Sequence, residues 1–265
     1  MPFTVPGISH VPEPLRVLMA LAIGLFLILL RLDAERFGAA EYDDVDADGN
    51  RPSLLRRLAW YVVGVVGIAA VLVLHPAPGS DLYLALGERV GVLVFGLLYG
   101  VAGCLIAVGI AFLRYREVRV PGVMSYPGAV INAVATALLD EAVFRGIVLG
   151  FLTVIGTDPL LAVITQALLY ALATRVGARG RSTWMVFSVL AMGLAGGYLT
   201  VLTGGIGAAF LGQAITRVAI FFTTGHAGLL APKGSEPEEV EEQRRTPDGW
   251  QVLDADADSA AGPGN

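Results

Sequence analysis

The sequence has little charge for its length. Only 15% of the 265 residues are charged, whereas 55% are hydrophobic and the mean hydropathy is +0.68. A soluble domain carries about 25% charged residues to cover its surface. The shortage excludes an ordinary soluble domain and favours a protein that has lipid as its solvent.

Residues that form disulfides or bind metals are also scarce. The single cysteine, Cys104, lies in an apolar run, so an internal disulfide and a CxxC site are excluded. The three histidines, His10, His75 and His226, lie outside the apolar segments. No set of three or four metal ligands can be assembled from the sequence. We therefore expect no metal and no other cofactor.

The acidic excess is confined to the end of the chain. Residues 231–265 hold nine acidic and three basic residues, a net charge of −6, which leaves +1 for the rest of the molecule. No basic patch indicates a nucleic-acid partner. This tail and the Asp-, Gly- and Pro-rich stretch 41–53 are predicted to be unstructured.

Seven apolar segments follow one another along the chain. A membrane-spanning helix needs about 20 predominantly apolar residues. The first and fifth segments reach that length when the flanking Arg16, Arg31 or Arg175 extends to the membrane surface. The sequence therefore predicts an all-α fold, a polytopic bundle of about seven transmembrane helices. The segments are Val17–Leu30, Leu58–Leu74, Val90–Leu113, Ala129–Val154, Pro159–Ala173, Trp184–Leu202 and Ile206–Phe222.

Arginines are concentrated in alternate loops. The 31–57, 114–125 and 174–183 loops carry five, three and three arginines, whereas the loops between them offer only Arg89. The positive-inside rule then places the N-terminus outside and the C-terminal tail in the cytoplasm, with the plasma membrane as the expected location. We divide the chain into three N-terminal helices (1–124), a four-helix core (125–230) and the acidic tail (231–265).

Ionisable residues stand inside the fourth and seventh segments. A charged group in a membrane helix is costly, so each is a functional hypothesis by default. Counted at about 1.5 Å per residue, Asp140 and Arg217 lie at nearly the same depth and are predicted to pair. Glu141 and Arg145 stand four residues apart, the spacing of an intrahelical salt bridge.

Uncharged polar residues accompany them at helical spacing. Asn132 and Thr136 share a helix face with Asp140. Gln166 and Thr174, on the fifth segment, are predicted to form interhelical hydrogen bonds, because such bonds commonly hold membrane helices together.

The stretch Asp140-Glu141-Ala142-Val143-Phe144-Arg145-Gly146 resembles the first motif, Glu-Glu-x-x-x-Arg, of the CPBP family of CAAX prenyl proteases and Abi-type or bacteriocin-processing intramembrane proteases. The family's second motif, Phe-x-x-x-His, corresponds to Tyr170–Thr174. Its third, His-x-x-x-Asn or Asp, corresponds to Gln213–Arg217. The resemblance covers roughly residues 125–225 and implies the site positions Asp140, Glu141, Arg145, Thr174, Gln213 and Arg217.

Four of these positions depart from the family's residues. In the family, a Glu and a His are thought to activate a water, and a second His and an Asn stabilise the oxyanion. Asp140 replaces the first Glu, Thr174 and Gln213 replace the two histidines, and Arg217 replaces the Asn. Thr174 cannot act as a base at neutral pH, whereas Gln213 still donates a hydrogen bond.

Three hypotheses follow from these departures. The first is a catalytically degenerate CPBP-like membrane protein that binds, scaffolds or regulates a membrane-protein partner in the lipid bilayer. The second is an active intramembrane endopeptidase that uses Asp140 or Glu141 as its base, with Gln213 and Arg217 at the oxyanion. The third is a transporter component, because a polar core in a helical bundle is compatible with a conduction path.

Overall fold

The computed structural model describes residues 10–37, 54–115, 127–175 and 183–224, and within these ranges every long element is a helix. Seven helices nearly coincide with the seven predicted segments, so the all-helical prediction is confirmed. They are α1 (Glu13–Leu32), α2 (Leu54–Leu74), α3 (Arg89–Tyr115), α4 (the consecutive parts Pro127–Asp140, Glu141–Val148 and Leu149–Val154), α5 (Pro159–Arg175), α6 (Thr183–Thr203) and α7 (Gly207–Thr224).

Four of these helices are long and apolar enough to cross a membrane: Glu13–Leu32, Leu55–Leu74, Arg89–Leu113 and Val186–Thr203. Their outward faces are apolar, with Leu18 and Leu29 of α1 each 60% exposed and Leu98 of α3 62% exposed. A soluble protein does not leave apolar faces of this extent in water. The chain is therefore a membrane protein, and we expect these exposed leucines to face lipid.

The central part of α4, Glu141–Val148, is π-helical. The flanking residues Asp140 and Leu149 keep α-helical dihedral angles, so α4 continues through this segment without a break. π-Helical turns are rare and are frequently found at functional sites. The apolar pattern of α4 did not predict it, because both helix types place apolar residues at similar intervals.

Helix α3 packs closely along α7 through glycines. A Cβ added to Gly100 would lie 2.9 Å from Cβ of Ile215, and one added to Gly103 would lie 2.8 Å from Cβ of Thr216. Because glycine has no side chain, it allows the backbones of two membrane helices to approach each other closely. The close approach holds Gln213 of α7 inside the bundle, where its side chain is buried.

The segment between α2 and α3, residues 75–88, lies across one end of the bundle and is called the strap here. It is hydrogen-bonded to the α6–α7 connection, where Ile206 N donates to Tyr83 O and Ala85 O at 3.1 and 3.0 Å and Gly207 N donates to Leu86 O at 3.0 Å. On its other side it contacts α4 at Gly150, where an added Cβ would lie 2.8 Å from the carbonyl oxygen of Asp81.

Two predicted unstructured stretches, 41–53 and 231–265, lie outside the described residues. The acidic tail and its cytoplasmic location therefore stay predictions, as do the boundaries of the three predicted parts of the chain.

Candidate functional site

The carboxylate of Asp140 lies between two guanidinium groups at the start of the π-helical segment. Nε of Arg31, on α1, donates to Oδ1 at 2.7 Å, and Nη2 of Arg31 lies 3.4 Å from Oδ2. Nη2 of Arg217, on α7, donates to the same Oδ2. The side chain of Asp140 is only 1% exposed. The predicted pair of Asp140 and Arg217 is present, and a second arginine completes a triad.

Arg31 was interpreted from the sequence as a flanking residue that extends to the membrane surface, and that interpretation was wrong. Its side chain is 8% exposed and points inward to a carboxylate 109 residues away. A signal was available, because Arg31 continues the buried face of α1 formed by Ala20, Gly24 and Leu27. These positions are separated by three or four residues, the repeat of one helix face.

Glu141 and Arg145 form the predicted intrahelical pair inside the π-helical segment. Nη1 of Arg145 lies 3.1 Å from Oε1 of Glu141, and neither side chain has any exposed surface. The two groups are not aligned for a hydrogen bond, and neither carboxylate oxygen of Glu141 has a hydrogen-bond partner among the described residues. The guanidinium of Arg145 also stacks on the ring of Tyr170, 4.0 Å from its centroid.

The positions that match the family's second and third motifs make hydrogen bonds both between helices and within one helix. Gln213 Nε2 donates to the hydroxyl of Tyr170 at 2.9 Å, and the hydroxyl of Tyr99 lies 3.3 Å from Gln213 Oε1. The hydroxyl of Thr174 donates to the backbone carbonyls of Tyr170 and Ala171, at 2.8 and 3.3 Å, on its own helix. Tyr99, which sequence reasoning missed, thus connects α3 to this network.

Further polar contacts join α2 to α4 and α5 to α6. The hydroxyl of Tyr61, on α2, is hydrogen-bonded to Oδ1 of Asn132 and lies 2.6 Å from the hydroxyl of Thr136. Gln166 Nε2 donates to the carbonyl of Gly193, on α6, at 2.9 Å, so its predicted interhelical hydrogen bond is confirmed. Tyr61 gave no signal in the sequence, since a tyrosine near a helix end is usually an interfacial residue.

The six predicted site positions therefore meet in one region. Asp140 and Arg217 are in direct contact, as are Glu141 and Arg145, and Tyr170 contacts Gln213, Arg145 and Arg217. Thr174 lies one turn further along α5, and the hydrogen bonds of its hydroxyl given above stay within that helix. In the described ranges no three His, Cys, Asp or Glu side chains are grouped so that they could hold a metal ion. The region provides ion pairs, hydroxyls and amides as its chemical groups.

Comparison with known proteins agrees with the helix order of this region. A family model described as "Rce1-like: Type II CAAX prenyl endopeptidase Rce1-like" matches residues 121–219, which include α4, α5, α6 and most of α7. No curated protein and no solved structure matches the chain. The predicted resemblance to CAAX prenyl endopeptidases is thus confirmed over residues 121–219, the part of the chain that holds the six positions predicted from that resemblance.

Proposed function

We propose that this protein is a catalytically degenerate CAAX-protease-like protein of the plasma membrane, which binds a membrane-protein partner instead of cleaving peptides. In this proposal all seven helices cross the bilayer, with the N-terminus outside and the acidic tail in the cytoplasm. The observation that carries the proposal is the double arginine clamp on Asp140.

The clamp leaves Asp140 poorly suited to act as a general base. A base must direct a lone pair at the proton that it takes from water. Both oxygens of Asp140 instead accept hydrogen bonds from guanidinium groups, Oδ1 from Arg31 and Oδ2 from Arg217. A guanidinium is not deprotonated in proteins, so neither arginine can substitute as a base.

The remaining positions support the same conclusion. Thr174 directs its hydroxyl to backbone carbonyls of its own helix. Gln213 donates a hydrogen bond to Tyr170, whereas an oxyanion donor must point to the place where negative charge develops. A region whose polar groups are hydrogen-bonded within and between helices is suited to present a rigid surface to a partner.

A second candidate function is favoured by one observation at Glu141. Neither of its carboxylate oxygens has a hydrogen-bond partner among the described residues, so both have lone pairs available for a water. An intramembrane endopeptidase could use Glu141 as its base. The complete burial of Glu141 and its contact with Arg145 rank this candidate below the first, since water would have to enter the closed bundle.

Peptide cleavage by the purified, reconstituted chain separates the two candidates. The substrate would be a set of prenylated and unprenylated peptides that end in a CAAX sequence, and the variants would be Asp140→Ala and Glu141→Gln. Under the first proposal, neither Asp140→Ala nor Glu141→Gln should change the amount of peptide cleaved, because the chain itself cleaves none. Cleavage that is abolished by Glu141→Gln would establish the endopeptidase and overturn the first proposal.

Partner binding needs its own experiment. Chemical cross-linking in native membranes, followed by purification, is expected to yield one partner in constant proportion, cross-linked to this chain at reproducible positions. A chain shortened to remove residues 231–265 tests whether the acidic tail contributes. If no protein is cross-linked and reconstituted vesicles show solute flux that Arg217→Gln changes, the transporter hypothesis replaces the proposal.

A further inference from the structure

A buried histidine, His75, is the first residue of the strap and packs against α4. His75 follows the last residue of α2 and is only 3% exposed. Its ring packs edge-on against Phe151 of α4, with centroids 5.5 Å apart. Its Nδ1 accepts a hydrogen bond from the backbone N–H of Ala77 at 3.3 Å. The strap thus depends at this point on a neutral imidazole, because a protonated Nδ1 cannot accept a hydrogen bond.

Charged groups face His75 from two neighbouring elements. Within the strap, Oδ2 of Asp81 lies 4.0 Å from Nδ1, and the Asp81 side chain is 34% exposed. From α1, Nε of Arg16 donates to the carbonyl of Leu74, the residue before His75, at 3.0 Å, and Glu13 acts at longer range. The α4 side contributes the apolar ring of Phe151. An imidazolium at this position would be attracted by the Asp81 carboxylate and repelled by the Arg16 guanidinium.

The residue hydrogen-bonded to His75, Ala77, also begins the turn that positions the rest of the strap. The Asp81 amide donates to the carbonyl of Ala77 at 3.0 Å, which forms the single helical turn Pro78–Asp81. That turn directs Leu82 and Leu84 to α4, where a Cβ added to Gly146 would lie 3.0 Å from Cγ of Leu84. Gly146 is the residue after Arg145, so the strap covers the π-helical segment itself.

We propose that His75 and Asp81 form an acid-released latch, in which protonation of His75 detaches the strap from α4 and from the α6–α7 connection. Protonation converts Nδ1 from an acceptor to a donor and breaks the hydrogen bond from Ala77. The new charge would be buried against Phe151, while the Asp81 carboxylate, 4.0 Å away, is partly exposed to water and attracts it weakly. The latch is independent of whether the core cleaves peptides.

The direction of the pH effect follows from burial. Burial lowers the pKa of His75 below its ordinary value of 6.5, whereas Asp81 and the backbone of Ala77 oppose that shift. The open strap therefore binds the proton more strongly than the closed strap. The closed state keeps its full stability above the ordinary pKa and loses it as the pH falls toward the lowered pKa. Each unit between the two pKa values favours opening by up to about tenfold.

Hydrogen exchange of the reconstituted full-length chain tests the latch. The reporters are the amides of Glu88, Ile206 and Gly207, which donate to Thr203, to Tyr83 and Ala85, and to Leu86. Exchange is followed at about pH 7.5 and about pH 5, which bracket the ordinary titration of histidine. Exchange times are scaled for the pH dependence of chemical exchange. Wild-type protein is expected to lose protection at these amides at the lower pH, while amides in the middle of α3 stay protected.

Two variants test whether His75 and Asp81 cause the difference in strap opening between the two pH values. His75→Gln keeps a polar side chain that does not titrate, so the ratio of opening between the two pH values should fall to about one. Asp81→Asn removes the group that favours the imidazolium in the closed strap, so the same ratio should become larger than in wild type. Asp158→Asn is the matched control, because Asp158 is an exposed carboxylate that caps α5.

Ratios within each variant remain interpretable even if a substitution loosens the strap at both pH values. The latch is overturned if wild-type protection is independent of pH, or if His75→Gln keeps the wild-type ratio. A ratio for Asp81→Asn equal to or below that of wild type would also overturn it, because the carboxylate would then have no role in the titration.

Discussion

Arg31 on α1 and Asp140 on α4 are joined by a contact of 2.7 Å between Nε and Oδ1, although 109 residues separate them in the chain. This contact connects the first helix directly to the region that resembles a protease site. Because Arg217 binds the other carboxylate oxygen, one acidic group neutralises cations from both ends of the described chain.

Replacement of Asp140 should destabilise the bundle more than replacement of either arginine. In Asp140→Asn, two buried guanidinium groups lose their carboxylate, and an unpaired buried charge costs about 3–5 kcal/mol. Arg217→Gln should cost less, since Asp140 keeps Arg31. The free energy of unfolding in mixed detergent micelles measures both. An equal or smaller effect of Asp140→Asn would show that the triad does not neutralise these arginines.

Glu141 and Arg145 should behave as one unit. Each single replacement, Glu141→Gln or Arg145→Gln, leaves a fully buried charge without its partner and should cost about 3–5 kcal/mol. The double variant should cost clearly less than the two together, with a coupling energy of at least about 1 kcal/mol. Unfolding of the four proteins of this cycle gives that energy. Strict additivity would argue that each residue is stabilised by other groups.

Alanine replacement of a glycine on α3 should destabilise the protein where α3 packs against α7, and not where the glycine has no close neighbour. In Gly100→Ala the new Cβ would lie 2.9 Å from Cβ of Ile215, so α3 and α7 must move apart, at a cost of about 1–3 kcal/mol. Gly109→Ala is the matched control on the same helix, because nothing lies within 4 Å of its added Cβ. It should be neutral or stabilise by up to about 1 kcal/mol. The thermal midpoints of the two variants measure this difference. A midpoint for Gly100→Ala equal to or above that of Gly109→Ala would contradict the prediction.

Two replacements of Tyr170 should separate its hydroxyl from its ring. Tyr170→Phe removes the acceptor of the Gln213 hydrogen bond and should cost about 1 kcal/mol. Tyr170→Leu also removes the ring that Arg145 stacks on, which adds up to about 2 kcal/mol in a desolvated site. Equal effects of the two variants on unfolding would show that the ring contact contributes nothing.

The sequence predicted what depends on local spacing and composition. The seven helices follow from runs of apolar residues, and the Glu141–Arg145 contact follows from a separation of four residues on one helix. The Asp140–Arg217 contact was predictable because the membrane fixes depth, so two charges at one level in neighbouring helices have few other partners.

Features that depend on helix rotation and on loops were not predictable. Arg31 stands at a helix end, where a basic residue can extend to the membrane surface or turn inward, and only the packed bundle decides between the two. The strap contains no apolar period, and its contacts with the α6–α7 connection are backbone hydrogen bonds from Ile206 and Gly207, which leave no pattern in side-chain types. The π-helical turn likewise depends on packing around Glu141–Val148.

The Arg31–Asp140 contact also affects the order of assembly during synthesis. Helix α1 is made first, and its guanidinium meets the carboxylate only after 109 further residues have been added. Until then Arg31 is most stable at the membrane surface, where water and lipid headgroups solvate it. We therefore expect the end of the first helix to take its final place only after α4 has been made, when the Asp140 carboxylate becomes available to Arg31.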